Sequence, residues 1–146
     1  MFNDVSLECC ASVRVGQDIQ MVDFDTPAGG GRGARIIVFV DGGSWNSGNK
    51  EDYSFAAKAL ASRGFVTAVC DYRLVPQVRY PAFVEDSAAA GAFVYRNAAT
   101  YGGDPKHLYL VGHSAGAYNA MLVALAPRVL AGQGLSNSII RAAVGL

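Results

Sequence analysis

Gly112-His113-Ser114-Ala115-Gly116 constrains this chain more than any other segment. It follows the apolar run His107-Leu108-Tyr109-Leu110-Val111 and opens an alanine-rich stretch. An apolar run behind and a helix-forming run ahead leave room for one arrangement: a strand, a single sharp turn and a helix, with serine at the apex. In so tight a turn side chains at the flanking positions would clash, which accounts for glycine at 112 and 116. A serine hydroxyl is a poor nucleophile unless it is exposed, aimed and relieved of its proton. The turn supplies exposure and aim. The helix that follows points its N-terminus at the serine, so the Ala115 N–H is a candidate donor to a developing oxyanion. Ser114 is therefore the candidate nucleophile.

Relief of the proton is another matter. On strand–GxSxG–helix folds the acid and then the histidine follow the serine in chain order, yet residues 115–146 contain no Asp, Glu or His. His113 adjoins Ser114 in a turn that aims neighbouring side chains apart. His107 lies at the start of the strand, and each strand residue adds roughly 3.3 Å. Both histidines read as structural or solvent-exposed, and two histidines alone leave a metal site short of ligands. The chain carries a nucleophile without its expected base.

The remaining segments alternate in the α/β manner. Ile19 and Met21 alternate with polar neighbours over 18–24, predicting an outer antiparallel strand paired with 12–15. The β-branched and aromatic run 36–40 predicts a strand buried on both faces, and 65–70 predicts another. Between them a helix is expected over 53–63, capped by Asp52, with Phe55, Ala56, Ala59 and Leu60 inward and Gly64 in the left-handed position after it. Pro81 suits the first turn of a long helix reaching about Tyr101, striped by Phe83, Val84, Ala90, Gly91, Val94, Tyr95 and Ala98. A helix is expected over 115–125, ended by Pro127, and a last strand over 139–146. The glycines of 28–33 precede a strand instead of joining a strand to a helix, which argues against a phosphate cradle.

Asp41-Gly42-Gly43-Ser44-Trp45 follows the strand 36–40 directly. Alone it reads as a plain turn. With the serine turn downstream, Gly42 and Gly43 become candidate amide donors that can approach a reacting carbonyl closely. Trp45 is open between lining a substrate pocket and simple packing.

Composition bounds the partners. Lys+Arg and Asp+Glu balance at 12 each in 146 residues, leaving no electrostatic footprint for nucleic acid or an anionic membrane. No window approaches the roughly 18 apolar residues of a membrane span. The first residues lack a basic segment followed by an apolar core, so no secretory signal is expected. Three cysteines, two of them the adjacent Cys9 and Cys10, argue against a disulfide framework and for small, partly buried thiols in a reducing, cytoplasmic setting.

Several further motifs join these in order along the chain: Asp71-Tyr72-Arg73-Leu74-Val75-Pro76, Tyr80-Pro81-Ala82, Glu85-Asp86 and Tyr101-Gly102-Gly103-Asp104-Pro105. Together with the glycine loop and the serine turn they cover over half the chain. This set resembles the α/β-hydrolases of the carboxylesterase and hormone-sensitive-lipase-like group, close to small bacterial esterases and arylformamidases. In that group the glycine motif normally begins with His, a place held here by Asp41. The resemblance implies Ser114 as nucleophile, Gly42, Gly43 and Ala115 as oxyanion donors, and no cofactor or metal. It implies that Tyr72, Arg73 and Asp86 brace the loop after the fourth strand, with direct substrate contact as the alternative. The fold it implies is a mostly parallel sheet with antiparallel N-terminal strands and helices on both faces, ending at about the sixth strand, so residues 1–146 are expected to form one incomplete domain. The chain is accordingly expected to be the N-terminal part of a longer hydrolase, or a shortened form completed by another chain, with possible self-association through its unfinished sheet edge. The implied activity is hydrolysis of a small-molecule carboxylic ester through an acyl-enzyme, with an aryl formamide as the alternative substrate. A non-catalytic fragment or binding module is the rival from another class.

Overall fold

The computed structural model describes residues 5–15, 18–28 and 32–146, with side chains from residue 22 onward. Among the described residues six strands form one sheet in the order β1-β2-β4-β3-β5-β6. They are β1 (Val5–Val15), β2 (Asp18–Pro27), β3 (Ala34–Val40), β4 (Val66–Cys70), β5 (Gly103–Gly112) and β6 (Ile140–Gly145). The outer pairs β1–β2 and β2–β4 run antiparallel, and β4, β3, β5 and β6 are parallel. The first strand is longer than the 12–15 segment expected, with a register shift between Glu8 and Ala11. Cys9 and Cys10 lie in it, and their side chains fall outside the described residues, as does the middle of the glycine-rich connection at 29–31. Cys70 is a buried free thiol at the end of β4, and burial pushes its pKa up.

Strand alternation divides the core into two layers. Ile36, Val38 and Val40 of β3 stand in register with Val66, Ala68 and Cys70 of β4 and with Leu108, Leu110 and Gly112 of β5. All of these but Gly112 join the main core through their side chains, together with Phe83, Val84, Ala90 and Val94 of α2 (Ala82–Asn97) and Ala120 and Val123 of α3 (Ala115–Leu125). Phe39 and Val69 point the other way and pack on Ala57 of α1 (Ser54–Ala61). Helices thus cover both faces.

Two local expectations are corrected. Asp52 does not cap α1; it is the third residue of a 3-10 turn over Lys50–Tyr53, where it and Asn49 form a reciprocal capping box. The inward residues of α1 are Ala57 and Ala61, and Phe55 is 71% exposed. Small side chains let the helix approach Phe39 closely, so bulk alone misplaced the stripe. Pro127 ends α3 as expected and also opens a short helix, α4 (Pro127–Ala131), because proline suits a first helical turn.

The strand order fixes where a site can form. The chain leaves β3 toward β4 on one side and returns past β3 to β5 on the other. At such a reversal the loops leaving the carboxyl ends of adjacent strands diverge and open a crevice. Val40 and Gly112 are register partners at those two carboxyl ends, so the glycine loop and the serine turn emerge side by side.

Candidate active site

Ser114 sits between β5 and α3 at φ 54°, ψ −116°, a conformation that L residues rarely adopt. The surrounding structure holds it there. Ser114 N donates to Leu146 O at 2.9 Å, His113 N to Val40 O at 3.2 Å and Gly116 N to His113 O at 2.8 Å. A Cβ on Gly112 would stand 2.6 Å from Ala117 N, and one on Gly116 would stand 2.7 Å from the Val40 carbonyl carbon. The two glycines therefore permit the turn and the seating of α3 on the end of β3. Ser114 is exposed, and among the described residues no side chain hydrogen-bonds its hydroxyl.

The glycine loop is held as firmly. Gly43, Ser44 and Trp45 all have positive φ, at 136°, 54° and 59°. Gly43 O accepts from Asn46 N at 3.1 Å and Ser47 N at 3.0 Å, and Val75 N donates to Trp45 O at 2.7 Å. Of the three amides singled out from sequence, those of Gly43 and Ala115 have no acceptor among the described residues. The Gly42 amide donates to Tyr53 Oη at 3.1 Å. His113 Nδ1 lies 2.8 Å from that same hydroxyl, and His107 Nδ1 lies 2.9 Å from Asp104 Oδ2. Both histidines are thus engaged away from the serine.

Trp45 is half-buried. Its ring stacks on Phe83 with centroids 5.6 Å apart and meets Tyr118 edge-on at 5.5 Å. Its Nε1 donates to Asn119 Oδ1 at 3.1 Å. Asn119 is fully buried, and its Nδ2 reaches Phe83 O at 3.3 Å and Ser87 Oγ at 3.2 Å. One amide side chain therefore locks the loop, α2 and α3 together. Sequence reasoning did not single out Tyr53, Tyr118 or Asn119. Asn119 did leave a signal, as a polar residue within the otherwise apolar helix that carries Ser114.

Below the loop, Tyr72 Oη donates to Asp41 O at 3.2 Å. Arg73 forks onto Asp86, Nε to Oδ2 at 2.8 Å and Nη2 to Oδ1 at 2.6 Å, while Arg73 N also reaches Oδ2 at 2.9 Å. Asp86 is inaccessible to solvent, so this fork braces the 71–81 loop from within. Arg73→Lys keeps the charge and loses the planar fork. It is expected to cost about 1–2 kcal/mol, read as a lower urea midpoint at unchanged slope.

A groove of about 550 Å³ between the start of α2 and α4 is lined by Tyr80, Val84, Glu85 and Arg128 among others. Ser114, Gly42, Gly43 and Ala115 are not part of it. Among the described residues no group of three or more His, Cys, Asp or Glu is placed to hold a metal ion, and no helix is long and apolar enough to cross a membrane.

The family model described as BD-FAE matches residues 22–138. The chain belongs to the BD-FAE family. Among curated relatives it is 40% identical over 116 residues to a probable isoprenylcysteine alpha-carbonyl methylesterase, ICMEL1, of Oryza sativa subsp. japonica, a match covering 79% of this chain and 27% of that protein. Among solved structures it matches a bacterial heroin esterase at TM-score 0.81 and 28% identity, over 93% of this chain and 43% of that one. It also matches Thermogutta terrifontis esterase 2 phosphonylated by cyclosarin at TM-score 0.82 and 25% identity, over 99% of this chain and 56% of that one. The BD-FAE chain therefore has the α/β-hydrolase fold of an esterase-like hydrolase family, and it spans about a quarter of the length of the first of these relatives.

Proposed function

We propose that Ser114 is the nucleophile of a carboxylic-ester hydrolase. Its Oγ adds to the ester carbonyl carbon while the hydroxyl proton passes to a base. The carbonyl oxygen takes up the negative charge between the Gly43 and Ala115 amides. Collapse expels the alcohol, which regains a proton, and water then hydrolyses the acyl-serine. The observation that carries this reading is the strained, exposed Ser114, with the Ala115 amide next to it and the Gly43 amide on the loop leaving the neighbouring strand, neither amide having an acceptor among the described residues. Preorganised amides of this kind stabilise developing charge without reorganising during the reaction. Phosphonylation of the structurally similar T. terrifontis esterase 2 fits a reactive nucleophile in this fold. Residues 115–146 contain no Asp, Glu or His, and Nδ1 of each of the chain's two histidines is engaged elsewhere. The proposal therefore assigns proton transfer to residues outside this chain.

The test compares the catalytically complete protein with its Ser114→Ala variant on short p-nitrophenyl esters. The variant is expected to lose on the order of 10⁴-fold or more in kcat/KM, and a fluorophosphonate is expected to add one phosphonyl group to the parent and none to the variant. Equal labelling of both proteins rejects the assignment. Residues 1–146 alone are expected to stay at background turnover, and robust turnover would place the base within them. The Trp45–Tyr118 pair beside the serine helix also suits an aryl formamide, so N-formylkynurenine belongs in the substrate panel.

A further inference from the structure

The Gly42 amide is not left to a ligand, and the group that takes it sits at the centre of a three-part tie. We propose that Tyr53 is a positioning residue of this site: its hydroxyl links the Gly42 amide to the His113 imidazole and so fixes the loop that carries the Gly43 amide relative to the turn that carries Ser114. The inference rests on the reading of Ser114 and its amide donors given above.

The tie joins the two segments whose relative placement matters. Gly42 belongs to the loop after β3 and His113 to the turn after β5, and Tyr53 Oη stands 3.1 Å from the Gly42 N and 2.8 Å from His113 Nδ1. The Gly42 N–H donates to Oη, and the same hydroxyl shares a hydrogen bond with His113 Nδ1, so one group engages both segments. Space explains why position 42 is glycine. A Cβ there would stand 2.8 Å from His113 Nδ1 and 2.9 Å from Tyr53 Oη, directly in the tie. The amide of the next residue, Gly43, has no acceptor among the described residues, while its carbonyl is bound into the turn.

Tyr53 is itself held rigidly. Its ring lies 5.2 Å from that of Phe39, within the core layer under α1. It closes the 3-10 turn whose start is fixed by the Asn49–Asp52 capping box. Lys50 N donates to Asp71 Oδ1 at 2.8 Å, and Lys50 Nζ pairs with Asp23 at 2.6 Å, pinning the same turn to the residue just after β4 and to β2. A rigid second layer of this kind is what holds reacting groups within a fraction of an ångström.

Tyr53→Phe keeps the ring on Phe39 and removes only the hydroxyl. In the catalytically complete protein it is expected to lower kcat for p-nitrophenyl acetate on the order of 10- to 100-fold, with KM within about twofold and thermal stability little changed. The ¹⁵N resonance of His113 Nδ1 is expected to move as its hydrogen bond is lost. Unchanged kcat in Tyr53→Phe, alongside an inactive Ser114→Ala, overturns this inference and leaves the serine assignment standing. An active Ser114→Ala instead overturns the serine assignment, and this inference falls with it. If Tyr53→Phe does not fold, amide exchange in the parent protein decides. Slow exchange at Gly42 supports the tie, and exchange at the free-peptide rate overturns it.

Discussion

Gly116→Ala is expected to destabilise the protein by about 3 kcal/mol or more, the reverse of what helix propensity dictates. Replacing glycine by alanine inside a helix ordinarily stabilises it by roughly 0.5–1 kcal/mol. At position 116 the added methyl group would meet the Val40 carbonyl carbon at 2.7 Å and crowd the carbonyl oxygens of Val40 and Asp41. These are backbone atoms at the end of a central strand, so no rotamer change relieves the clash. Either α3 lifts from β3 or the loop at Asp41 is displaced, and overpacking of this kind costs about 1–3 kcal/mol and at times more. Gly91 of α2 is the internal control: it is buried, yet a Cβ there meets nothing within 4 Å. Gly91→Ala is expected to raise the urea midpoint while Gly116→Ala lowers it. A Gly116→Ala protein as stable as its parent would mean that α3 is not seated on β3 as described, and the neighbourhood of Ser114 and Gly43 would go with it.

What could be read from the sequence, and what could not, follows from the range of the interactions. The runs at 36–40 and 65–70 announce buried strands by composition, 107–111 announces a further strand, and the glycines around Ser114 announce the turn because side chains there would clash. The Arg73–Asp86 fork is implied by the family resemblance of the motifs at 71–76 and 85–86, not by any local pattern of charge or hydropathy. Tyr53 gave no such notice. Its two partners lie 11 and 60 residues away, and only the β3–β5 register brings them together. Asn119 similarly reaches a partner 74 residues away. In α1 the sequence favoured Phe55 over Ala57 as a core residue, because hydrophobicity grows with size while close helix–sheet approach selects against it.

Asp41→Asn is expected to stabilise the protein by up to roughly 4 kcal/mol above neutral pH and by almost nothing near pH 4. Asp41 stands where the resembling esterases carry histidine, at the end of β3 and 2% exposed. Its Oδ1 has no hydrogen-bond partner among the described residues. Burial, reinforced by the nearby Asp71 carboxylate, pushes its pKa from 3.8 to about 7, against a smaller opposing effect from a backbone hydrogen bond. Burial also raises the pKa values of Asp71 and Asp25, so these three carboxyls act with one sign. A carboxyl whose pKa is higher in the folded state binds its proton more tightly there than in the unfolded chain. Between about pH 4 and pH 7 the native protein therefore holds more protons, and stability falls as pH rises through that window. Above the folded pKa the penalty is constant; below the unfolded pKa it vanishes. At about 1.4 kcal/mol per pH unit, the shift from 3.8 to about 7 sets the magnitude. Asparagine keeps the shape and cannot ionise, so the curves of stability against pH for the two proteins should meet near pH 4 and separate steadily up to pH 7. Parallel curves across that range would show that Asp41 ionises freely, and hence that the floor of the glycine loop is open to water.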